Sequence, residues 1–173
     1  MIAPAHALTL LADKLQPGER ILYAVRPDIW VTIRNKLFLW WIGIPWCAVT
    51  LSLYFAGRAS PAIALPLALV GFVMIAAPIM MAIDTQYTVY AITDRRALIV
   101  RNGLRPDVVS CPFADMDATP ELMTAGGKGG HLYFASGLST KLRDVDYTGK
   151  LAFRDLADVR AAADALEAAR KSQ

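Results

Sequence analysis

The chain has 173 residues, 55% of them hydrophobic and 19% charged, with a formal net charge of +3. That is more apolar and less charged than an ordinary soluble domain, and a balance this small does not mark a nucleic-acid binder. Two cysteines, Cys47 and Cys111, stand far apart without CxxC-type spacing, which excludes a thiolate zinc site and argues against a disulfide.

Residues 1–15 lack the basic start and small-residue cleavage pattern of a signal peptide, so targeting is expected from internal segments. A short helix is expected there, with Leu8, Leu11 and Leu15 on one face. RILYAV at 20–25 reads as a strand bounded by Pro17-Gly18 and Pro27.

The next two segments are the strongest signal in the chain. Residues 37–56 (LFLWWIGIPWCAVTLSLYFA) and 61–83 (PAIALPLALVGFVMIAAPIMMAI) hold no charged side chain and are separated by Gly57-Arg58-Ala59-Ser60. About 20 apolar residues at 1.5 Å each cross roughly 30 Å of hydrocarbon. A chain in lipid must satisfy its backbone internally, so both runs are expected to be transmembrane helices. Pro45, Pro66 and Pro78 interrupt them, an irregularity membrane helices tolerate, while Pro61 suits a helix start. Gly43 and Cys47, or Ala64 and Ala68, are small residues four apart that would allow close helix packing. No ionisable group lies within either run, which argues against an ion or proton relay.

Arg26, Arg34 and Lys36 precede the hairpin, Arg95, Arg96 and Arg101 follow it, and the turn carries only Arg58. The positive-inside rule then puts both termini in the cytoplasm, as a multi-pass protein of the cell (inner or plasma) membrane. Trp40 and Trp41 fit an interfacial aromatic belt, with Tyr54 and Phe55 at the opposite interface.

After the hairpin, QYTVYAIT at 86–93, ALIV at 97–100 and residues 108–112 read as strands, with Asn102-Gly103 as a turn. A polar stretch rich in turn formers runs to Gly130. His131-Leu132-Tyr133-Phe134 is a further strand, and Thr148-Gly149-Lys150 turns into Leu151-Ala152-Phe153. A C-terminal helix is expected with Asp155 as its cap and Leu156, Val159, Ala163 and Leu166 as its apolar stripe. Antiparallel strands closed by one helix make an α+β domain. The expected organisation is an N-terminal cytoplasmic segment with a first strand (1–36), the hairpin (37–83) and a cytoplasmic domain (84–173).

Several of these stretches together resemble a family. Leu15-Gln16-Pro17-Gly18-Glu19-Arg20-Ile21-Leu22 looks like the "pGE" opening of bacterial PH-like (pleckstrin-homology-like) membrane proteins. Tyr90-Ala91-Ile92-Thr93-Asp94-Arg95-Arg96 is similar to that family's Tyr-x-hydrophobic-Thr-x-Arg-Arg stretch after a two-helix hairpin. Gly130 to Phe134 and Phe153 to Val159 are similar to its later strand and its final strand and helix start. The resemblance implies a bent antiparallel sheet or partly open barrel of about seven strands, closed by a C-terminal helix. It implies no catalytic residues and no cofactor.

Little else points to chemistry. Gly126-Gly127-Lys128-Gly129-Gly130 lacks the Ser or Thr and the following helix of a phosphate-binding loop, so it reads as a hairpin loop. His6 and His131 have no partner motif for hydrolysis. No metal-ligand pattern is present. Arg95, Arg96, Arg101 and Arg105 form the densest basic stretch and, with Lys128, are the candidate lipid or partner contacts. The alternative reading gives these arginines to topology, solvation or ion pairs with Asp84 or Asp94.

The expected function is a non-enzymatic membrane-anchored module that scaffolds, self-associates or assembles a membrane complex. Its partners would be the bilayer and a membrane protein or a second copy, not nucleic acid. Rival readings are direct recognition of anionic headgroups and a subunit of a membrane enzyme or transporter.

Overall fold

The computed structural model describes residues 11–103, 106–124, 127–139 and 145–172. The chain divides into two compact units, one from residues 32–83 and one from the segments on either side of it.

The flanking unit is α+β. Strand β1 (Ile21–Val25) precedes the apolar segments, and β2 (Thr88–Thr93), β3 (Arg96–Arg101), β4 (Asp107–Pro112), β5 (Glu121–Thr124), β6 (Gly130–Ala135) and β7 (Leu151–Leu156) follow them. One antiparallel sheet has the order β1-β2-β3-β4 and the other β5-β6-β7. Among the described residues no ladder joins them, so they form two sheets and not a closed barrel.

Side-chain alternation explains why β2 and β3 read as nearly continuous apolar runs. Tyr90, Ile92, Ala97 and Ile99 face a core shared with Leu132, Phe134, Phe153, Val159 and Leu166. The intervening Val89, Ala91, Leu98 and Val100 face a second cluster with Leu11 and Ala24, joined by Leu15 and Ile21. Both faces of the sheet are therefore covered, and a strand buried on both faces loses its polar alternation. Leu8 lies outside the described residues. In the main core Phe153 stacks on Tyr90 and meets Phe134 edge-on, both with ring centroids 4.8 Å apart.

The C-terminal helix is Val159–Lys171, and it begins later than the sequence implies. Asp158, not Asp155, is the cap: its carboxylate accepts from the backbone N–H groups of Arg160 and Ala161, each at 3.1 Å. Strand β7 runs on through Leu156, and Asp155 takes a left-handed backbone conformation with φ +54°. The buried stripe is Val159, Ala162, Ala163, Leu166 and Ala169. Three elements are absent from the sequence reading, one of them the single 3-10 turn Phe113–Asp115 after β4. Strand β5 is four residues long and exposed throughout, so it carries no apolar alternation. A short helix, α1 (Ile29–Lys36), follows β1, with Asp28 Oδ1 accepting from Trp30 N–H at 2.7 Å and Val31 N–H at 3.1 Å.

Two further helices, α2 (Phe38–Phe55) and α3 (Pro61–Gln86), make up most of the other unit, so the C-terminal helix is α4. Each is long and apolar enough to cross a membrane. Only 11% and 17% of their most apolar windows is buried, whereas the core helix of a soluble protein is mostly buried. They pack antiparallel through small residues. A Cβ added to Gly71 would fall 2.5 Å from Cys47 Sγ and 2.9 Å from Trp46 Cδ1, and one on Gly43 would fall 3.0 Å from Met74 Cβ. Trp40 Nε1–H donates to Ile75 O at 2.9 Å and Trp46 Nε1–H to Leu67 O at 2.8 Å. The four small residues singled out from sequence are thus drawn into the hairpin itself: Cys47 Sγ lies 3.8 Å from Ala68 O, and Ala64 is buried. Trp40 is tied to α3, while Trp41 is 81% exposed and turns outward as a belt residue would.

Candidate functional site

The basic stretch does not form one patch. It divides between the two ends of the four-stranded sheet, and the strand register sets the division. Val25 pairs with Tyr90, and Thr88 pairs with Arg101, so the exits from β1 and into β2 lie at one end. This is the end where both connections to the apolar segments leave the domain. Ile21 pairs with Thr93 at the other end, beside the β2–β3 turn that carries Arg95 and Arg96. Six residues of strand, about 20 Å, separate the two ends. The sequence reading placed this basic turn near the headgroups; the ladder puts it at the end of β2 opposite the connections.

Arg96 is also committed to a structural role. Its Nε–H and Nη2–H both donate to Glu19, each at 2.8 Å, as a bidentate fork. Glu19 has a fully buried side chain. Its Oε2 accepts from Gln16 N–H at 2.7 Å, and its Oε1 accepts from the Thr93 hydroxyl at 2.8 Å. Thr93 in turn accepts from the N–H groups of Arg95 and Arg96, at 3.2 and 3.1 Å. The Arg96 guanidinium, together with the Gln16 and Thr93 donors, outweighs burial and lowers the Glu19 carboxyl to about 2. A buried charge is tolerated when it is paired and hydrogen-bonded in this way. Arg20 and Asp94 complete the joint: Asp94 N–H donates to Arg20 O at 3.0 Å and Arg20 N–H to Asp94 Oδ1 at 3.1 Å. Arg95 is exposed at this turn.

At the connection end stand Arg101, at the close of β3, and Lys128, in the β5–β6 turn. Lys128 is exposed, and its carbonyl accepts from Val159 N–H at 3.0 Å. Arg105 lies outside the described residues. Asp28 N–H donates to Asp155 O at 2.7 Å, which fixes the exit from β1 against the end of β7. Asp155 N–H donates to His131 Nδ1 at 3.0 Å. That bond makes Nδ1 an acceptor, so the histidine's ring orientation serves the strand geometry.

The turn after β3 touches the residues that follow the charge-free run. Asn102 N–H donates to Tyr87 O at 2.8 Å, and a Cβ on Gly103 would fall 3.0 Å from Asp84 Oδ1. Beside this turn is a half-open cavity of about 350 Å³, lined by Asp13 and Lys14 from the N-terminal segment and by Arg101, Asn102, Asp107 and Val108. Sequence reasoning missed it, because its two halves, Asp13-Lys14 and Arg101 to Val108, lie about 90 positions apart. Among the described residues no group of three His, Cys, Asp or Glu side chains gathers as a metal site. Cys111 is buried, and desolvation, with Asp115 and Asp117 nearby, pushes its thiol up to about 11, away from nucleophilic use at neutral pH.

Among the described residues the sheets have edge strands β1 and β4, and β5 and β7, and β4 and β5 are the most exposed of them. β5 pairs only with β6, all four of its residues are exposed, and Leu122 and Met123 present apolar side chains there. Compared with known proteins, the chain matches no family model, no curated protein and no solved structure.

Proposed function

We propose that the chain is a non-enzymatic module anchored in the cell membrane by α2 and α3, with a PH-like domain on the cytoplasmic face that binds a strand of another chain. The observation that carries this reading is β5, an edge strand that among the described residues pairs on one side only, with all four residues exposed, Leu122 and Met123 included. Such an edge is a template for strand addition, in which backbone bonds give affinity and alternate side chains give selectivity. Four strands plus three, with a C-terminal helix packed on their shared core, support the PH-like assignment. The two long apolar helices support anchoring.

The added strand belongs to a membrane-protein partner or to a second copy, which makes the module a scaffold or an assembly factor. A photo-crosslinking amino acid placed at Leu122 or Met123 in the full chain, in native membranes, tests this. The expected result is one discrete adduct from these positions and none from exposed Tyr147 on another loop. No adduct from either strand position, together with a monomer in mild detergent, overturns the reading.

A second reading keeps anionic headgroups as the ligand and moves the contact from Arg95 and Arg96 to Arg101 and Lys128. Their position at the connection end favours it. Cations near an anionic surface contribute about 1 kcal/mol each. Membrane retention of the domain face that falls with salt and with Lys128→Ala, but not with Arg95→Ala, is the expected behaviour under this reading.

A further inference from the structure

The ladder between β6 and β7 contains a bulge. Gly130 pairs with Leu156 and Leu132 with Phe153, so Arg154 and Asp155 together stand opposite the single residue His131. The extra residue of a bulge has no partner in the ladder, and its backbone groups must be satisfied in another way. Here a side chain does it: Asp155 N–H donates to His131 Nδ1 at 3.0 Å. Asp155 sits in the left-handed region, with φ +54°, which an aspartate adopts only at some cost. Its carbonyl accepts from Asp28 N–H at 2.7 Å, and the Asp28 carboxylate caps the first turn of α1. The chain leaving β1 is thus clasped to β7 at a residue whose amide rests on an imidazole.

We propose that His131 and Asp155 form a pH-sensitive clasp, which holds the exit from β1 while the imidazole is neutral and releases it when the imidazole is protonated. An imidazole nitrogen accepts only while it carries no proton. Protonation at Nδ1 turns the acceptor into a donor and ends the bond from Asp155 N–H. The Asp155 carboxylate Oδ1 lies 3.8 Å from the same nitrogen, too far for a hydrogen bond as it stands and close enough to accept one after a small turn of the side chain. Each state of the ring therefore has its own partner on Asp155, the backbone N–H for the neutral form and Oδ1 for the charged form. The exchange removes a bond that holds the left-handed backbone in place, so the Asp155 peptide relaxes and its carbonyl turns away from Asp28. Both side chains are mostly buried, at 21% and 15% exposure, so water is a poor substitute for either partner. Other charged groups on the adjoining elements are Arg154 beside Asp155 on β7, Lys128 in the β5–β6 turn and Asp28 at the β1 exit. From β5, Met123 is the residue opposite His131. Further along that face Glu121 and Lys150 pair with each other beside Tyr133, whose ring meets the imidazole edge-on at 6.4 Å. The clasp lies within the flanking unit and stands whether or not β5 takes up a strand.

The experiment is an NMR titration of the full chain in mild detergent, with isotope-labelled histidine rings and backbone amides, over the range from about pH 8 to about pH 5 in which a histidine ordinarily changes charge. His6→Asn removes the only other histidine. At the alkaline end Nδ1 of His131 is expected to be the unprotonated ring nitrogen. As the ring takes up its proton, the Asp28 and Asp155 amides are expected to shift with the same midpoint. Exchange of the Asp28 amide, corrected for the intrinsic effect of pH, is expected to speed up about fivefold, as the loss of one hydrogen bond implies. Asp155→Asn keeps the backbone N–H and a residue that tolerates the left-handed region, but removes the charge that favours the imidazolium; its midpoint is expected to move to lower pH. His131→Asn offers an amide oxygen that accepts without titrating, so it is expected to keep Asp28 protected at every pH. The proposal is overturned if Nδ1 is already protonated at the alkaline end, if His131 does not titrate within the range, or if the Asp28 amide does not follow it. A step that survives His131→Asn, or a midpoint that Asp155→Asn leaves unchanged, overturns it equally. Should either of these variants misfold, the comparison of midpoints in the His6→Asn chain decides alone.

Discussion

Arg96 holds Glu19 through two parallel 2.8 Å hydrogen bonds, and the two residues stand 77 positions apart with both apolar helices between them. The bridge joins the segment before the hairpin to the segment after it. Removing one partner leaves the other charge buried without compensation, which costs about 3–5 kcal/mol. Glu19→Ala or Arg96→Ala is therefore expected to lower the unfolding free energy of the full chain in detergent by about that amount, read from the shift of its denaturation midpoint. A Glu19→Met/Arg96→Leu double variant, which removes both charges, is expected to recover most of it. Two additive losses in the double variant would show that the pair is not coupled.

The same carboxylate sets an acid limit. Glu19 titrates near 2 in the folded chain against an ordinary 4.5, so the unfolded chain binds its proton first as pH falls. Its contribution is complete above about pH 4.5 and is lost as pH drops through about 2. The whole contribution amounts to about 3 kcal/mol, of which about 2 kcal/mol is gone by about pH 3. Melting temperatures taken between about pH 6 and pH 3 are expected to fall more steeply for the native chain than for Glu19→Gln. Parallel curves would remove Glu19 from the acid response.

The domain is assembled from both sides of the hairpin, which makes a deletion informative. Replacing residues 27–83 by a short Gly-Ser linker joins β1 to β2 at the end where Val25 already faces Tyr90. This product is expected to unfold cooperatively by circular dichroism. A version that also lacks residues 1–26 loses Glu19, the β1 ladder and the Leu11 cover over Val89 and Leu98, and is expected to show no cooperative transition. Equal stability of the two would make the hairpin a simple terminal anchor.

These results mark what the sequence carries. Local signals were legible: charge-free length for α2 and α3, and β-branched or aromatic runs for β2, β3 and β6. RILYAV was legible as a strand because Pro17-Gly18 and Pro27 bracket it. Strand β5 was not, because an exposed four-residue edge has no buried face to impose a pattern. The helix start slipped from Asp158 to Asp155 because both are acidic residues before an apolar stripe, and only the left-handed backbone at Asp155 separates them. Arg95 and Arg96 looked equivalent as a basic pair. Their difference, one exposed and one forked onto Glu19, depends on a contact across the hairpin that no local window contains. The cavity beside the turn after β3 escaped for the same reason.

The hairpin offers the sharpest steric test. Gly71 leaves no room for a side chain, because a Cβ there would fall 2.5 Å from Cys47 Sγ and 2.9 Å from Trp46 Cδ1. Overpacking of this kind costs roughly 1–3 kcal/mol. In lipid there is little hydrophobic drive to hold two helices together, so close backbone approach and the two indole bonds carry the contact. Gly71→Ala is expected to lower the detergent melting temperature and to shift tryptophan emission as Trp46 loses its bond to Leu67 O. Cys47→Ala removes the sulfur that the new methyl would strike, so it is expected to return part of the stability in the Gly71→Ala background while slightly lowering it alone. The coupling is directional: rescue must come from Cys47 and not from Ala64, which lies further along the same interface. Rescue by neither would mean that the clash is with Trp46, whose ring edge is the next atom in the way, and Trp46→Phe would then be the variant that relieves it.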